Sequence, residues 1–229
     1  MGINIAIDGP AGAGKSTIAR SLAKQLSFIY VDTGAMYRAM AYFMLTHGVG
    51  EDEIQQIARM SSQPDISIRY ENGEQNVFLD GRNVSRYLRT EEVSRMASIV
   101  SAVPEVRAAL LQLQRSLARK NDVVMDGRDI GTTILPDAQV KIYLTASAEV
   151  RALRRCLELE ARGETCSREE VLAEIIDRDR RDMHREVSPL RQAPDAVVVD
   201  SSTLDADQVV AKIMEIIKKS IGEKEHTGK

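Results

Sequence analysis

Short apolar runs alternate along this chain with stretches in which apolar residues recur every three or four positions. The runs fall at residues 3–8, 28–32, 123–126, 140–144 and 196–200, and several are too continuously apolar to have a wet face. Helical spacing follows the first run in Ile18, Leu22 and Leu26, and the last in Val209, Ile213, Ile216 and Ile217, within a closing helix at 205–221. Fully apolar strands separated by helices predict an α/β fold, with a parallel five-stranded sheet covered by helices on both sides. Between the third and fourth runs little fits except a loop.

Two segments break the rhythm. In the first, about 63–83, Ile66, Ile68 and Tyr70 alternate with polar residues. Asn72-Gly73 follows, and Val77-Phe78-Leu79 resumes before Asp80-Gly81. This spells a small antiparallel β insertion around a tight turn. After it, Thr90 caps a helix opening with Glu91 and Glu92, and Pro104 starts another carrying Val106, Leu110, Leu113 and Leu117. The second segment, 149–191, holds ten arginines and no lysine against eleven acidic residues. One helix ends there near Gly163, and Ser167-Arg-Glu-Glu170 forms a capping box for the next. Lacking an apolar stripe, this helical hairpin reads as an arginine-rich hinged lid.

Composition narrows the class. Of the 229 residues, 43% are hydrophobic, enough to bury a core and too many for a largely disordered chain. A net charge of −3 and the lack of tryptophan argue against a nucleic-acid partner. No apolar run approaches the roughly 20 residues of a membrane span, and the first strand begins at Ile3 with no signal peptide before it, so a soluble cytoplasmic protein is expected; a monomer is expected too, though nothing in the sequence itself fixes oligomeric state. Cys156 and Cys166 lack metal-site spacing and are expected as reduced thiols. His47, His184 and His226 lack it too and are expected at the surface, while the nine methionines read as core filler.

The chemistry begins where the first strand ends. Gly9-Pro10-Ala11-Gly12-Ala13-Gly14-Lys15-Ser16-Thr17 has the spacing of a phosphate-binding loop, set between strand and helix. Glycines let successive N–H groups turn inward around phosphate oxygens, and the helix N-terminus adds its dipole. Lys15 can reach the β- and γ-phosphates of a nucleoside triphosphate, and the Ser16 hydroxyl can ligate Mg²⁺.

The third run ends in Asp126, a strand-end acid that would face the same crevice and share the metal. Asp80-Gly81-Arg82 repeats the letters of Asp126-Gly127-Arg128 but follows a hairpin strand, so it reads as a turn. Asp32 or Thr33 would cap the next helix, with Arg38 on it. Arg178, Arg181 and Arg185 fall at i, i+3 and i+7, with Asp182 among them. A solvated, salt-bridged face is the bland alternative. The absence of lysine favours guanidinium forks for phosphate.

Taken together, Ile7 to Thr17, Asp32-Thr-Gly-Ala-Met-Tyr-Arg38, Asp126-Gly-Arg-Asp129-Ile-Gly131 and Arg178-Asp-Arg-Arg-Asp-Met-His-Arg185 resemble the bacterial cytidylate kinases, among the phosphate-loop nucleoside monophosphate kinases. The resemblance covers nearly the whole chain. It implies MgATP-dependent phosphorylation of CMP and dCMP, with ATP held by residues 9–17. It places Arg38, Arg128 and Arg185 on the acceptor phosphate, and Ser98, Arg107 and Asp129 on the cytosine edge. Arg178 and Asp182 would face the sugar, with Thr33 in the same pocket. Lys15, Arg128, Arg181 and Arg185 are the expected catalytic cations. The implied parts are a core of 1–32, 87–148 and 192–221, a monophosphate-binding region at 33–86, a lid at 149–191 and a flexible tail at 222–229. A kinase for another small acceptor is the alternative; a nucleotide-dependent switch is a weaker one, since no Asn-Lys-x-Asp run occurs.

Overall fold

The computed structural model describes residues 2–226 apart from Asn72, and their side chains up to residue 222. At its centre is β1 (Asn4–Asp8), flanked by β6 (Val123–Gly127) and β7 (Val140–Thr145), with β2 (Ile29–Asp32) and β8 (Val197–Asp200) at the edges. All four pairings are parallel. The carboxyl ends of the strands therefore open on one rim, and the strand order reverses direction about β1. Open α/β sheets bind ligands at such a point.

Strand periodicity divides the core. Ala6, Val31, Val123 and Met125 pack on one face against α2 (Thr33–Thr46), α4 (Glu91–Val100) and α5 (Pro104–Lys120). Ile5, Ile7, Val124, Ile142 and Leu144 pack on the other against α1 (Lys15–Leu26) and α8 (Ala206–His226). Both faces are dry, so the interior strands are mainly apolar, and the buried Lys141 of β7 is paired with Asp195. Edge strand β8 departs from this: Val197 and Val198 are 44% and 47% exposed, and of its valines Val199 alone is buried.

The insertion is a second, antiparallel sheet of β3 (Ile66–Glu71), β4 (Glu74–Leu79) and β5 (Arg82–Asn83), following α3 (Ile54–Met60). Gly73 has φ +77° in its first turn; Asn72 lies outside the described residues. Asp80 and Gly81 make the second turn, both at positive φ, as expected of turn residues. The hairpin docks on the free edge of β2. Gln75 brackets Asp32, accepting its N–H at 2.9 Å and donating to its carbonyl at 3.1 Å, while the Tyr70 hydroxyl donates to the Tyr30 carbonyl.

Helix ends follow their caps. Thr90 accepts from the Val93 N–H, Pro104 opens α5, and Ser167 accepts from the Glu170 N–H at the start of α7 (Arg168–His184). α6 (Ala148–Glu160) packs against α7 as the lid hairpin.

Three expectations fail. Residues 130–134 are not loop but a π-helical turn, held because the Asp8 carboxylate accepts the N–H groups of Ile130 and Gly131 at 2.7 and 2.8 Å. Cys156 and Cys166 are not free thiols but a disulfide, with Cα atoms 5.4 Å apart. The chain turns back after α6, bringing Cys166 alongside that helix just before the Ser167 cap. The last helix runs to His226, past its expected end at residue 221. His47 and His184 are exposed; the side chain of His226 and residues 227–229 of the expected tail lie outside the described residues. Among the described residues no single helix is long and apolar enough to cross a membrane.

Candidate active site

The chain leaves β1 through Gly9, where φ is +151° and an added Cβ would lie 1.9 Å from the Leu144 carbonyl oxygen. No other residue fits there. Gly14, at φ +87°, caps α1 and hands over to Lys15, whose buried Nζ donates to the Pro10 carbonyl at 2.7 Å. Burial, and then Arg128, push the Lys15 ammonium well below the usual lysine range, against the pull of Asp126 and Asp182.

The Ser16 hydroxyl donates to Asp126 Oδ2 at 2.9 Å, and the Tyr30 hydroxyl donates to Oδ1 at 3.0 Å. Burial and neighbouring Asp32 push the Asp126 carboxyl up to about 6. Ser16 and Asp126, far apart in sequence, thus meet as two hard oxygen donors at the mouth of the loop. That donor set fits Mg²⁺, which prefers one or two protein oxygens completed by phosphate and water. Among the described residues no group of three or more His, Cys, Asp or Glu side chains forms a metal nest, so phosphate oxygens would be needed to complete the shell.

Beyond the loop lies a fan of guanidinium groups, four of them paired with an acid. Asp32 caps α2 through the Ala35 N–H and pairs with Arg38 at 2.9 Å. Asp182 of α7 accepts from Arg128 Nε at 2.8 Å. Burial disfavours the Arg128 charge, but Asp182 more than offsets it, and Arg128 in turn holds the Asp182 carboxyl low despite burial. Arg107 and Asp129 form a buried ion pair, and Arg107 also donates to the Ser101 carbonyl. Arg185 reaches Asp129 at 3.5 Å and donates to the Ser188 carbonyl at 2.7 Å. The Thr33 hydroxyl donates to the Asp126 carbonyl, stitching the start of α2 to β6.

Two donors in the fan are orphaned: Arg38 Nε and Arg178 Nε are buried without a hydrogen-bond partner. An unmet buried donor costs about 1–3 kcal/mol, so the pair suits an anion that accepts from it. Burial, and then Arg128, lower the Arg178 guanidinium to about 10.

These groups line one cavity of about 690 Å³, continuous from the loop to the Arg107–Asp129 pair, and inside the roughly 300–1,000 Å³ of small-molecule sites. Ala11 to Thr17, Thr33, Arg38, Ser98, Arg107, Arg128, Asp129, Arg178, Asp182 and Arg185 all reach it. Gly9 and Pro10 shape the loop without facing the space.

Arg181 is left outside. It is half-exposed, donating to Asp177 at 3.0 Å and to Ser98 at 3.4 Å. The three arginines do not share one face: Arg181, inside α7, turns away from the cavity, while Arg185 follows the helix as its extended cap and reaches the cavity from there. Within the helix the inward pair is Arg178 and Asp182. Sequence reasoning also missed Tyr30, which read as an ordinary strand residue, and the roles of Asp8 and of Asp32 as a partner for Arg38. The Asp8 carboxyl is pushed up to about 6 by burial, which outweighs its two accepted N–H bonds.

A phosphate loop at the switch point of a parallel sheet, a strand-end acid beside it and a guanidinium-lined extension of the same cavity describe a phosphate-loop kinase. The family model for cytidylate kinase matches residues 5–219. The cytidylate kinases of Caldicellulosiruptor saccharolyticus and Carboxydothermus hydrogenoformans are 50% and 52% identical over 220 and 215 residues, spanning 96% and 94% of this chain and 97% of each relative. A crystal structure of an uncharacterized protein from Eubacterium ventriosum shares the fold, with a TM-score of 0.50 at 14% identity, over 94% of this chain and 98% of that one. The chain belongs to the cytidylate kinase family.

Proposed function

We propose that this protein transfers the γ-phosphoryl group of ATP to CMP and dCMP, forming CDP and dCDP. The observation that carries this is a continuous cation-lined cavity, which joins a triphosphate loop to a buried Arg107–Asp129 pair suited to a base edge. Ser16 and Asp126 would hold Mg²⁺, which when bound would supply positive charge to offset that of the triphosphate.

The acceptor is a phosphate monoester with a second pKa near 6, already a dianion at neutral pH. It needs no general base. The barrier lies in bringing two polyanions into line while offsetting charge in a largely dissociative transition state. Lys15 and the loop N–H groups would hold the donor. Arg38 and Arg128, oriented by Asp32 and Asp182, would hold the acceptor phosphate, with Arg178 and Asp182 beside the sugar. Arg185, beside Asp129 and Ser101, would turn to that phosphate as substrate enters. A catalytic role for Arg181 would require the lid to swing it inward from Asp177.

Ser98, Arg107 and Asp129 would read the base. A carboxylate accepts from the exocyclic amine of cytosine but meets a carbonyl in uracil, leaving two acceptors opposed. One chain supplies every proposed group, consistent with a monomer, and the cytoplasm is its proposed location.

The test is a coupled ADP assay with MgATP and an acceptor panel. CMP and dCMP should be phosphorylated with specificity constants well above those of UMP and AMP. Preference for AMP would assign the cavity to another acceptor, and no turnover with any pyrimidine mononucleotide would overturn the proposal.

A further inference from the structure

Arg151 is the one strongly buried arginine of the lid that does not reach the cavity, and its contacts join three elements. It lies in the first turn of α6, where its N–H bonds the Ser147 carbonyl. Nε donates to the Ala146 carbonyl at 2.9 Å, just past the end of β7. Nη1 donates to the Ala11 carbonyl of the phosphate loop at 3.0 Å and to Asp179 Oδ1 at 3.1 Å. Nη2 donates to Asp179 Oδ2 at 2.6 Å. Asp179 belongs to α7, directly after Arg178. The Arg151 stem lies across Gly12, where φ is +75° and an added Cβ would come within 3.3 Å of the Arg151 Cβ.

The peptide bond makes the Ala11 contact consequential. In a planar trans peptide the carbonyl of one residue points opposite to the N–H of the next. By holding the Ala11 carbonyl on the lid side, Arg151 aims the Gly12 N–H to the other side, inward to the loop. The fork that fixes this peptide also grips Asp179, whose neighbours Arg178 and Asp182 line the acceptor half of the cavity.

We infer that Arg151 is a positioning residue that ties the phosphate loop to lid helix α7 through Asp179, so that donor binding and placement of the acceptor-side arginine depend on each other. Resting on the kinase reading of the cavity, this inference adds the link between its two ends. A lysine cannot substitute, because one ammonium on a flexible stem lacks the fork that spans the Ala11 carbonyl and both Asp179 oxygens.

The test uses the full-length protein and four variants: Arg151→Ala, Arg151→Lys, Asp179→Asn and the double Arg151→Ala/Asp179→Asn. Binding of a non-hydrolysable ATP analogue with Mg²⁺ is measured by calorimetry, and KM for ATP and for CMP by steady-state kinetics. Arg151→Ala should weaken analogue binding and raise KM for ATP by about tenfold, the scale of one lost charge-assisted hydrogen bond. Asp179→Asn should act in the same direction, and the double variant should be no worse than Arg151→Ala alone. Arg151→Lys should recover only part of the loss.

Should Arg151→Ala fail to fold, Asp179→Asn carries the test by itself. Unchanged analogue affinity in Asp179→Asn, or penalties of the two single changes that multiply in the double, would overturn the inference. Wild-type protein that binds the analogue yet phosphorylates no mononucleotide would instead overturn the kinase reading. The calorimetric comparison would still judge Arg151.

Discussion

Residues meet at this site because burial raises the stakes of each pairing. Asp126, buried beside Asp32, holds its proton up to about pH 6 rather than near the usual carboxylate value. Its folded pKa is raised, so the charged form that would hold Mg²⁺ is present above about 6 and is lost as pH falls through it. Apparent Mg²⁺ affinity should therefore drop by about tenfold per pH unit below 6, as a proton competes for the site. Titration of Mg²⁺ binding at pH 7.5, 6 and 5 checks this. A flat profile would remove Asp126 from the metal site.

Asp129 carries the specificity argument. Asp129→Ala should narrow the CMP-to-UMP ratio of kcat/KM by roughly ten- to a hundredfold, the equivalent of about 1–3 kcal/mol for a buried mismatch. A ratio equal to that of wild type would refute the assignment. At this scale the sequence was legible where a residue type and an element end coincided. Lys15, Ser16 and Asp126 each sit at a strand end or helix start, and there the register leaves one direction to face. Spacing alone does not say which flank of α7 turns inward: Arg178 and Asp182 line the cavity, while Arg181, on the same helix, pairs with Asp177. Tyr30 and Asp8 were unreadable because their partners, Asp126 and the Ile130–Gly131 turn, come from distant sequence.

Among the elements, periodicity told strands from helices wherever both faces or one stripe had to be dry. The five parallel strands and the capped helices were readable for that reason. The π-helical turn was not, since it is stabilised by one distant carboxylate rather than by its own pattern. Nor was the disulfide, which depends on how the lid hairpin turns back. The β insertion was visible in its alternation, but its docking was not. Gln75 reproduces the pairing of a missing neighbour strand at Asp32, and Asp32 orients Arg38. Gln75→Ala should raise KM for CMP several-fold while leaving ATP analogue affinity unchanged, since one lost backbone bracket is worth about 1 kcal/mol per bond. Equal losses for both substrates, compared by calorimetry and initial rates, would mean that the insertion supports the whole core rather than the acceptor end.

The whole molecule is a parallel sheet whose rim carries the phosphate loop, whose lid lines the same cavity and whose insertion braces Asp32 at its edge. Arg185 stands where these parts converge, touching Asp129 from the core, Ser101 from the α4–α5 turn and Ser188 just past its own helix. Arg185→Ala should lower turnover by roughly two orders of magnitude or more if its charge meets the transferring group. A folded variant with near-normal kcat would take it off the catalytic set.

Water competes for the same phosphoryl group, so a lid that shuts over both nucleotides should make transfer depend on the acceptor. The most direct measurement is the yield of ADP against CDP, with MgATP in the presence and absence of CMP. One ADP should form for each CDP, with hydrolysis orders of magnitude slower when CMP is left out. ADP released at the same rate without CMP would contradict a site built to join two nucleotides.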